Sequence, residues 1–279
     1  MSLRYLLSLY GQYAKMDLAW LLRDTRYCLI VIISDMIASL AAISGVFLLA
    51  VRFENFSGMS SGEVLFMLSF LLVANGLREV FLAEGNVSHL SRRIGRGQLE
   101  HMFIQPLSFP VQLLTGGFIP FTGSSNLICG VFLMHYSLGQ LNIATGTGFW
   151  FSLCGWLLLS NATLVGVSYL FSTAAFYAPV ACEEIASSVF DISASLSSFP
   201  LSGMPVMMQA SLLTILPTGL LGWFPCLALL GRPPLGLPGW YPLVFCAVLW
   251  LAAVTLLRKG LRYYISIGIN RYSPNGHRS

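Results

Sequence analysis

Apolar runs of about twenty residues, nearly free of charge, recur along this chain and restrict its fold before any motif is considered. Cys28 to about Val51, Val64 to about Leu82 and Phe149 to about Phe171 are three of them. A helix of that length spans the hydrocarbon of a bilayer, and only segments that close their own backbone hydrogen bonds can sit there. Charged residues make up 9% of the chain, against about 25% in a soluble domain, and the mean hydropathy is +0.75. The expectation is an all-α polytopic membrane protein, one transmembrane domain over residues 1–279 with no room for a separate soluble domain.

Its length allows about six spans. The third falls at about Pro120 to Met134, after an apolar lead-in from Phe109 to Ile119, and the sixth at about Trp240 to Leu257. The fifth is harder to place. Phe176–Phe199 is apolar but carries Glu183, Glu184 and Asp191, while Leu212–Leu230 lies in a stretch broken by Pro205, Pro217, Pro225, Pro233, Pro234 and Pro238. Proline removes a helix hydrogen bond and crowds the preceding turn. We therefore take Phe176–Phe199 as the fifth span and residues 200–239 as re-entrant helices on the outer face; Leu212–Leu230 as the fifth span is the alternative. Either choice leaves a tail at 258–279.

Charge placement orients the layout. Arg4, Lys15, Arg23 and Arg26, then Arg78, Arg92, Arg93 and Arg96, then Arg258, Lys259, Arg262, Arg271 and Arg278 fall on one side, thirteen of fifteen Lys and Arg; Arg52 and Arg232 fall on the other. Basic residues collect on the cytoplasmic side, so both termini and the 83–108 connector are expected there. The net charge of +4 marks membrane orientation and calls for no nucleic acid. Residues 1–26 carry Arg4, Lys15, Asp17, Arg23, Asp24 and Arg26, too many for a cleavable signal. Leu3, Leu6, Leu7, Tyr10, Tyr13 and Ala14 form a stripe, as in an amphipathic helix on the membrane surface.

The polar connector is the stretch around which the spans are arranged. Within Ser88–Pro106, Leu90 and Ile94 lie four apart, and Leu99, Met102 and Phe103 fall at helical spacing. Two short amphipathic helices with Gly95 and Gly97 at the bend account for the pattern. Such a segment projects into water or packs on a soluble partner. The two readings are a solvated loop that orients its neighbours by charge, and a docking surface.

Other chemistry is weakly signalled. Asp35, Glu183, Glu184 and Asp191 are costly in lipid and are candidates for a polar translocation path or proton relay. Glu183 and Glu184 read equally as interfacial, and Asp35 as a structural partner of Arg78. His89, His101, His135 and His277 are dispersed, which argues against a metal site. The cysteines (28, 129, 154, 182, 226 and 246) form no CxxC pair and read as small core residues. Trp150, Trp156, Trp223, Trp240 and Trp250 fall mostly near span ends, as interface anchors do. No phosphate loop, HExxH or nucleophile elbow is present. A proton-coupled secondary transporter and a non-catalytic scaffold remain the alternatives, the first weakened by the lack of an internal repeat.

Four stretches carry a resemblance. They are Gly97–Ser108 (GQLEHMFIQPLS), Phe199-Pro200-Leu201-Ser202 with Pro205, Pro225-Cys226-Leu227-Ala228-Leu229-Leu230-Gly231, and Gly260-Leu261-Arg262-Tyr263-Tyr264. In that order they resemble the permease subunits of bacterial type-2 ABC exporters, with Gln105 where many relatives carry Arg. The resemblance implies a coupling helix between spans two and three that docks a cytoplasmic ATPase. Arg92, Arg93, Gly97, Gln98, Leu99, Glu100, His101, Met102 and Phe103 are its candidate docking residues. Leu99, Met102 and Phe103 would enter an apolar groove, and Arg92, Arg93, Glu100 and His101 would form its rim. Pro200, Pro205, Pro217 and Pro225 are candidates for an outer gate. It further implies a bacterial inner-membrane location, a pair of ATPase subunits, a second permease chain, and no cofactor on this chain, ATP and Mg being held by the ATPase. An apolar or amphipathic substrate and a glycan both fit.

Overall fold

The computed structural model describes residues 3–52, 58–143 and 145–267. The predicted tail therefore ends, for structural purposes, at Ile267, and Arg271, His277 and Arg278 lie outside the described residues. Every regular element among the described residues is helical.

Helix α1 (Leu3–Arg23) is separated only by Asp24 from α2 (Thr25–Arg52). The long α3 (Ser61–Val87) leads into the bridge, formed by α4 (Leu90–Gly95) and α5 (Leu99–Ile104). The short α6 (Phe109–Thr115) precedes α7 (Ser125–Leu141) and α8 (Thr147–Ser172). Then come α9 (Ile185–Ser197), α10 (Val206–Thr214), α11 (Trp223–Leu229) and α12 (Tyr241–Ile267). Four segments are long and apolar enough to cross a membrane: Thr25–Arg52, Ser61–Leu82, Thr147–Phe176 and Tyr241–Ile267. Counting the bent pair α10–α11 as one span makes five.

Helix α3 forms the axis of the bundle. It is buried from Val64 to Ala74, whereas α2 is open along most of its length. Small residues let α7 press against α3. A Cβ on Gly130 would stand 2.6 Å from the Val73 amide nitrogen, and one on Gly76 would strike the Leu127 backbone. Close backbone approach at glycine is how helices pack where lipid supplies no hydrophobic drive. Around α3, Phe66, Phe70, Trp223 and Phe224 make one apolar cluster, and a second lies at the bridge end.

The start of α3 is capped reciprocally. The Ser60 amide donates to Glu63 Oε2 at 2.9 Å and the Glu63 amide donates to Ser60 Oγ at 3.3 Å. This is a capping box. Glu63 is also ion-paired with Arg232, from the loop after α11, and so closes the end of the molecule opposite the bridge.

Three expectations about elements need correction. The third span was expected at Pro120–Met134, but α7 begins at Ser125 and continues to Leu141. The Asp17 carboxylate captures the Phe121 and Thr122 amides at 2.7 and 3.2 Å and the Thr122 hydroxyl at 2.6 Å, which holds Thr122–Ser124 in a 3-10 turn. Phe176–Phe199 is not one helix either: α9 is 13 residues long, about 20 Å, short of a hydrocarbon core of about 30 Å. Leu212–Leu230 is not straight, because α10 and the segment Thr218–Leu229 meet at 78°. The prolines explain the break. Pro205 precedes α10, Pro217 lies in the interruption, and Pro225 occupies the first turn of α11, where no helical N–H is lost.

Candidate functional site at the bridge

The two bridge helices differ in the company they keep. Leu90, Ile94 and Leu99 are each fully buried and join Leu164, Tyr169, Phe176 and Phe190 in the second apolar cluster. Between them the chain turns at Gly97, with φ +71°, in the left-handed region that glycine enters without a Cβ penalty. Gly95 is required for space: a Cβ there would lie 2.7 Å from the Pro179 carbonyl oxygen.

Polar contacts tie the bridge to the N-terminus of α9. Arg92 donates to both carboxylate oxygens of Glu184, at 2.8 and 2.6 Å, and Arg96 is ion-paired with Glu183. Ser91 Oγ donates to the Glu183 carbonyl at 2.7 Å and accepts from the Ala186 amide at 3.2 Å. The hydrogen bond from Arg92 holds the Glu184 carboxyl below its usual range, with Ser187 assisting, and the same bond raises Arg92. Further along α9, the Arg78 guanidinium stacks over the Phe190 ring at 4.8 Å and donates to Asn75 Oδ1 at 2.9 Å. Helix α9 is thus gripped at its start by the bridge and in its middle by α3.

The far side of the bridge meets α12 and α6. Tyr264 Oη lies 3.4 Å from Glu100 Oε1, and the Phe103 ring packs at an angle against Phe109 and Tyr264. The Gln112 amide donates to the Met102 and Leu107 carbonyls, both at 2.7 Å, and closes the 105–108 loop onto α6.

This geometry sorts the expected docking residues. Leu99, expected in a partner's groove, is instead fully buried inside its own chain, where it anchors the bridge. Met102 is half-buried, while Gln98, Glu100, His101 and Phe103 are exposed. Gly97 is buried at the bend, Arg92 is engaged with Glu184, and Arg93 is half-buried. Spacing did not single out Ile104, which at 81% exposed is the most open large apolar residue of the bridge.

A family model described as ABC-2 family transporter protein matches residues 36–268. The chain belongs to that family. The match runs from inside α2, across the bridge, to just past the end of α12. No curated protein and no solved structure matched the chain. As an ABC-2 family transporter protein it is a multi-pass membrane component, a permease lacking its own ATPase, and membership implies association with an ATPase subunit.

The other expected residues of this permease fall into separate places. Glu183 and Glu184 are ion-paired with Arg96 and Arg92 at the bridge. Asp191 is exposed on α9 and Asp35 on α2, and neither enters an ion pair among the described residues. Arg78 instead faces α8 and α9. Of the candidate gate prolines, Pro200, Pro217 and Pro225 are buried and Pro205 is exposed. Sequence reading missed the role of Asp17, and it named Glu183 and Glu184 without their pairing to the bridge arginines. The only local signal for the latter was an adjacent acid pair, Glu183-Glu184, without a nearby base.

Proposed function

We propose that this permease forms half of the translocation path of an ATP-driven exporter in the cytoplasmic membrane of a bacterium, and that its bridge seats in a cleft of a cytoplasmic ATPase subunit. In this reading the chain crosses the membrane six times, the fifth crossing being assembled from α9 and the bent α10–α11 pair. Both termini and the bridge lie in the cytoplasm, as the Lys and Arg bias favours. A second permease chain, identical or similar, completes the path, and a pair of ATPase subunits binds ATP and Mg.

The observation that carries the reading is the double ion pair from α4 to the start of α9, Arg92 to Glu184 and Arg96 to Glu183. A bridge held to its own bundle only by lipid-facing contacts would swing freely. Here a displacement of α4 pulls α9, which leads directly into the proline-broken α10–α11 segment at the opposite side of the bundle. The exposed side chains Phe103 and Ile104 supply the apolar contact to the ATPase, and His101, Glu100 and Gln98 supply a polar rim.

The test is co-purification of the ATPase subunit with the full chain carrying Ile104→Asp or Phe103→Asp. Loss of the ATPase with normal membrane insertion is expected. Wild-type recruitment in both variants would sink the docking assignment.

A further inference from the structure

A second feature of the bridge shares Gln98 and His101 with the docking rim. Between α1, the bridge and α6 lies a pocket of about 440 Å³ lined by Tyr13, Arg93, Gln98, His101, Gln105 and Gln112, among others. Its lining includes no Asp or Glu.

The three bridge arginines are not equivalent. Arg92 and Arg96 are neutralised by Glu184 and Glu183, while Arg93, on the other side of the α4 turn, pairs with no acid among the described residues. Arg93 is half-buried, and this partial loss of water pushes its guanidinium below the usual range. The Gln112 amide is committed to the Met102 and Leu107 carbonyls and acts as a strut. Besides Gln112, the polar residues that line the space are Arg93, His101, Gln98, Gln105 and Tyr13. A desolvated cation surrounded by further donors, with no carboxylate, is the complement of an oxyanion.

The position says which oxyanion. Helix α1 turns one face inward, with Tyr10 edge-on to Phe118 at 4.9 Å and Asp17 locked to Phe121 and Thr122. Its exposed side chains include Tyr5, Met16, Trp20 and Leu22 together with Arg4, Lys15 and Arg23. A helix with that division lies in the headgroup and acyl boundary, so a pocket walled by it opens at headgroup depth. We propose that this pocket seats the phosphate of an anionic phospholipid from the bridge-side leaflet, with Arg93 as its counter-charge. The inference rests on the membrane-surface placement of α1 and the bridge given above. Bound there, the lipid pins α1 against the bridge, and the permease becomes sensitive to the anionic lipid content of its leaflet.

The experiment uses the full chain without its ATPase, delipidated in detergent and reconstituted into nanodiscs of phosphatidylcholine with or without phosphatidylglycerol. Lipid retained after re-extraction is counted by mass spectrometry. The wild type is expected to retain phosphatidylglycerol about tenfold over phosphatidylcholine, whose phosphate is offset by a choline cation that Arg93 repels. Arg93→Gln removes that selectivity, and Gln105→Glu, a change at an exposed side chain, removes it by placing a like charge at the pocket. Unchanged selectivity in both variants overturns the proposal. Binding of inorganic phosphate with no phosphatidylglycerol retained also overturns it, in favour of a free anion. So does Arg93→Gln keeping lipid selectivity here while losing the ATPase in a separate co-purification, which assigns the pocket to an acidic group of the ATPase. Ile104→Asp separates the two readings: it is expected to lose the ATPase and still retain phosphatidylglycerol.

Discussion

Arg92 grips Glu184 with both arms of its guanidinium, Nε to Oε1 at 2.8 Å and Nη2 to Oε2 at 2.6 Å, across 92 positions of sequence. The planar fork of arginine matches a carboxylate in a way an ammonium does not. Both side chains are partly solvated, at 33% and 49% exposed, so the pair sets the register of α4 on α9 more than it stabilises the fold.

Charge reversal isolates that register. Arg92→Glu is expected to cut transport-coupled ATP hydrolysis several-fold with little change in thermal midpoint, and the swap Arg92→Glu with Glu184→Arg to restore most of it. Arg92→Lys, which keeps charge and loses the second bond, should fall between. Reconstituted vesicles containing the ATPase provide the measurement.

The same pair carries a pH signature. Because Glu184 is held below the ordinary carboxylate range in the folded protein, its contribution is fully present above the unfolded value of about 4.3. It is lost as pH falls through the lowered folded value. The difference in thermal midpoint between wild type and Glu184→Gln should therefore be constant from neutral pH down to that range and vanish below it. A difference that vanishes already near neutrality would mean that another group titrates.

Leu99 and Ile104 are five residues apart and should respond oppositely to the same change. Leu99→Asp puts a carboxylate into a closed apolar cluster, at a cost of about 3–5 kcal/mol, and little folded protein is expected in detergent. Ile104→Asp, at an 81% exposed position, should leave the melting curve within about 0.5 kcal/mol of wild type and act only on ATPase binding. Melting curves paired with co-purification read both effects.

Helix contact between α3 and α7 depends on missing side chains. Gly130→Val forces a branched side chain toward the Val73 amide and should destabilise by about 1–3 kcal/mol. Gly139→Ala, on the same helix with open space around it, should be neutral or slightly favourable. Equal melting midpoints for the two variants would contradict the close approach.

At the opposite end Glu63 has two duties, and they separate. Glu63→Gln keeps an oxygen for the Ser60 amide but loses the ion pair to Arg232. Faster maleimide labelling of a Leu235→Cys reporter is expected, with an intact helix α3. Glu63→Ala loses both, adding about 1 kcal/mol of lost capping. Labelling at the wild-type rate in Glu63→Gln would show that Arg232 does not hold this loop.

Much of this architecture is written locally. The spans of α2, α3, α8 and α12 follow from hydrophobic length, because the bilayer demands a fixed number of apolar residues. The two bridge helices follow from their spacing and from Gly97, because only a glycine turns there cheaply. Periodicity did not tell which apolar residue of the bridge faces inward. Leu99 and Ile104 look alike by residue type, and only the tertiary cluster that buries Leu99 together with Phe176, Phe190 and Tyr264 distinguishes them. Nor did composition reveal that α9 is too short to cross alone, since its apolar content continues past the break at Ser198.

The sequence by itself determined an all-helical, multi-pass permease of the ABC-2 family with a basic bridge, because those properties depend on runs and spacings within a few turns of chain. The tertiary structure decided what each charge does. Arg92 and Arg96 find acids at the start of α9, far along the chain, Arg93 finds none among the described residues, and Asp17 clamps a turn about a hundred positions away. Such pairings are set by distance in space, where partly desolvated charges and carbonyls must be satisfied by whatever the fold brings near, and no local pattern records that neighbour.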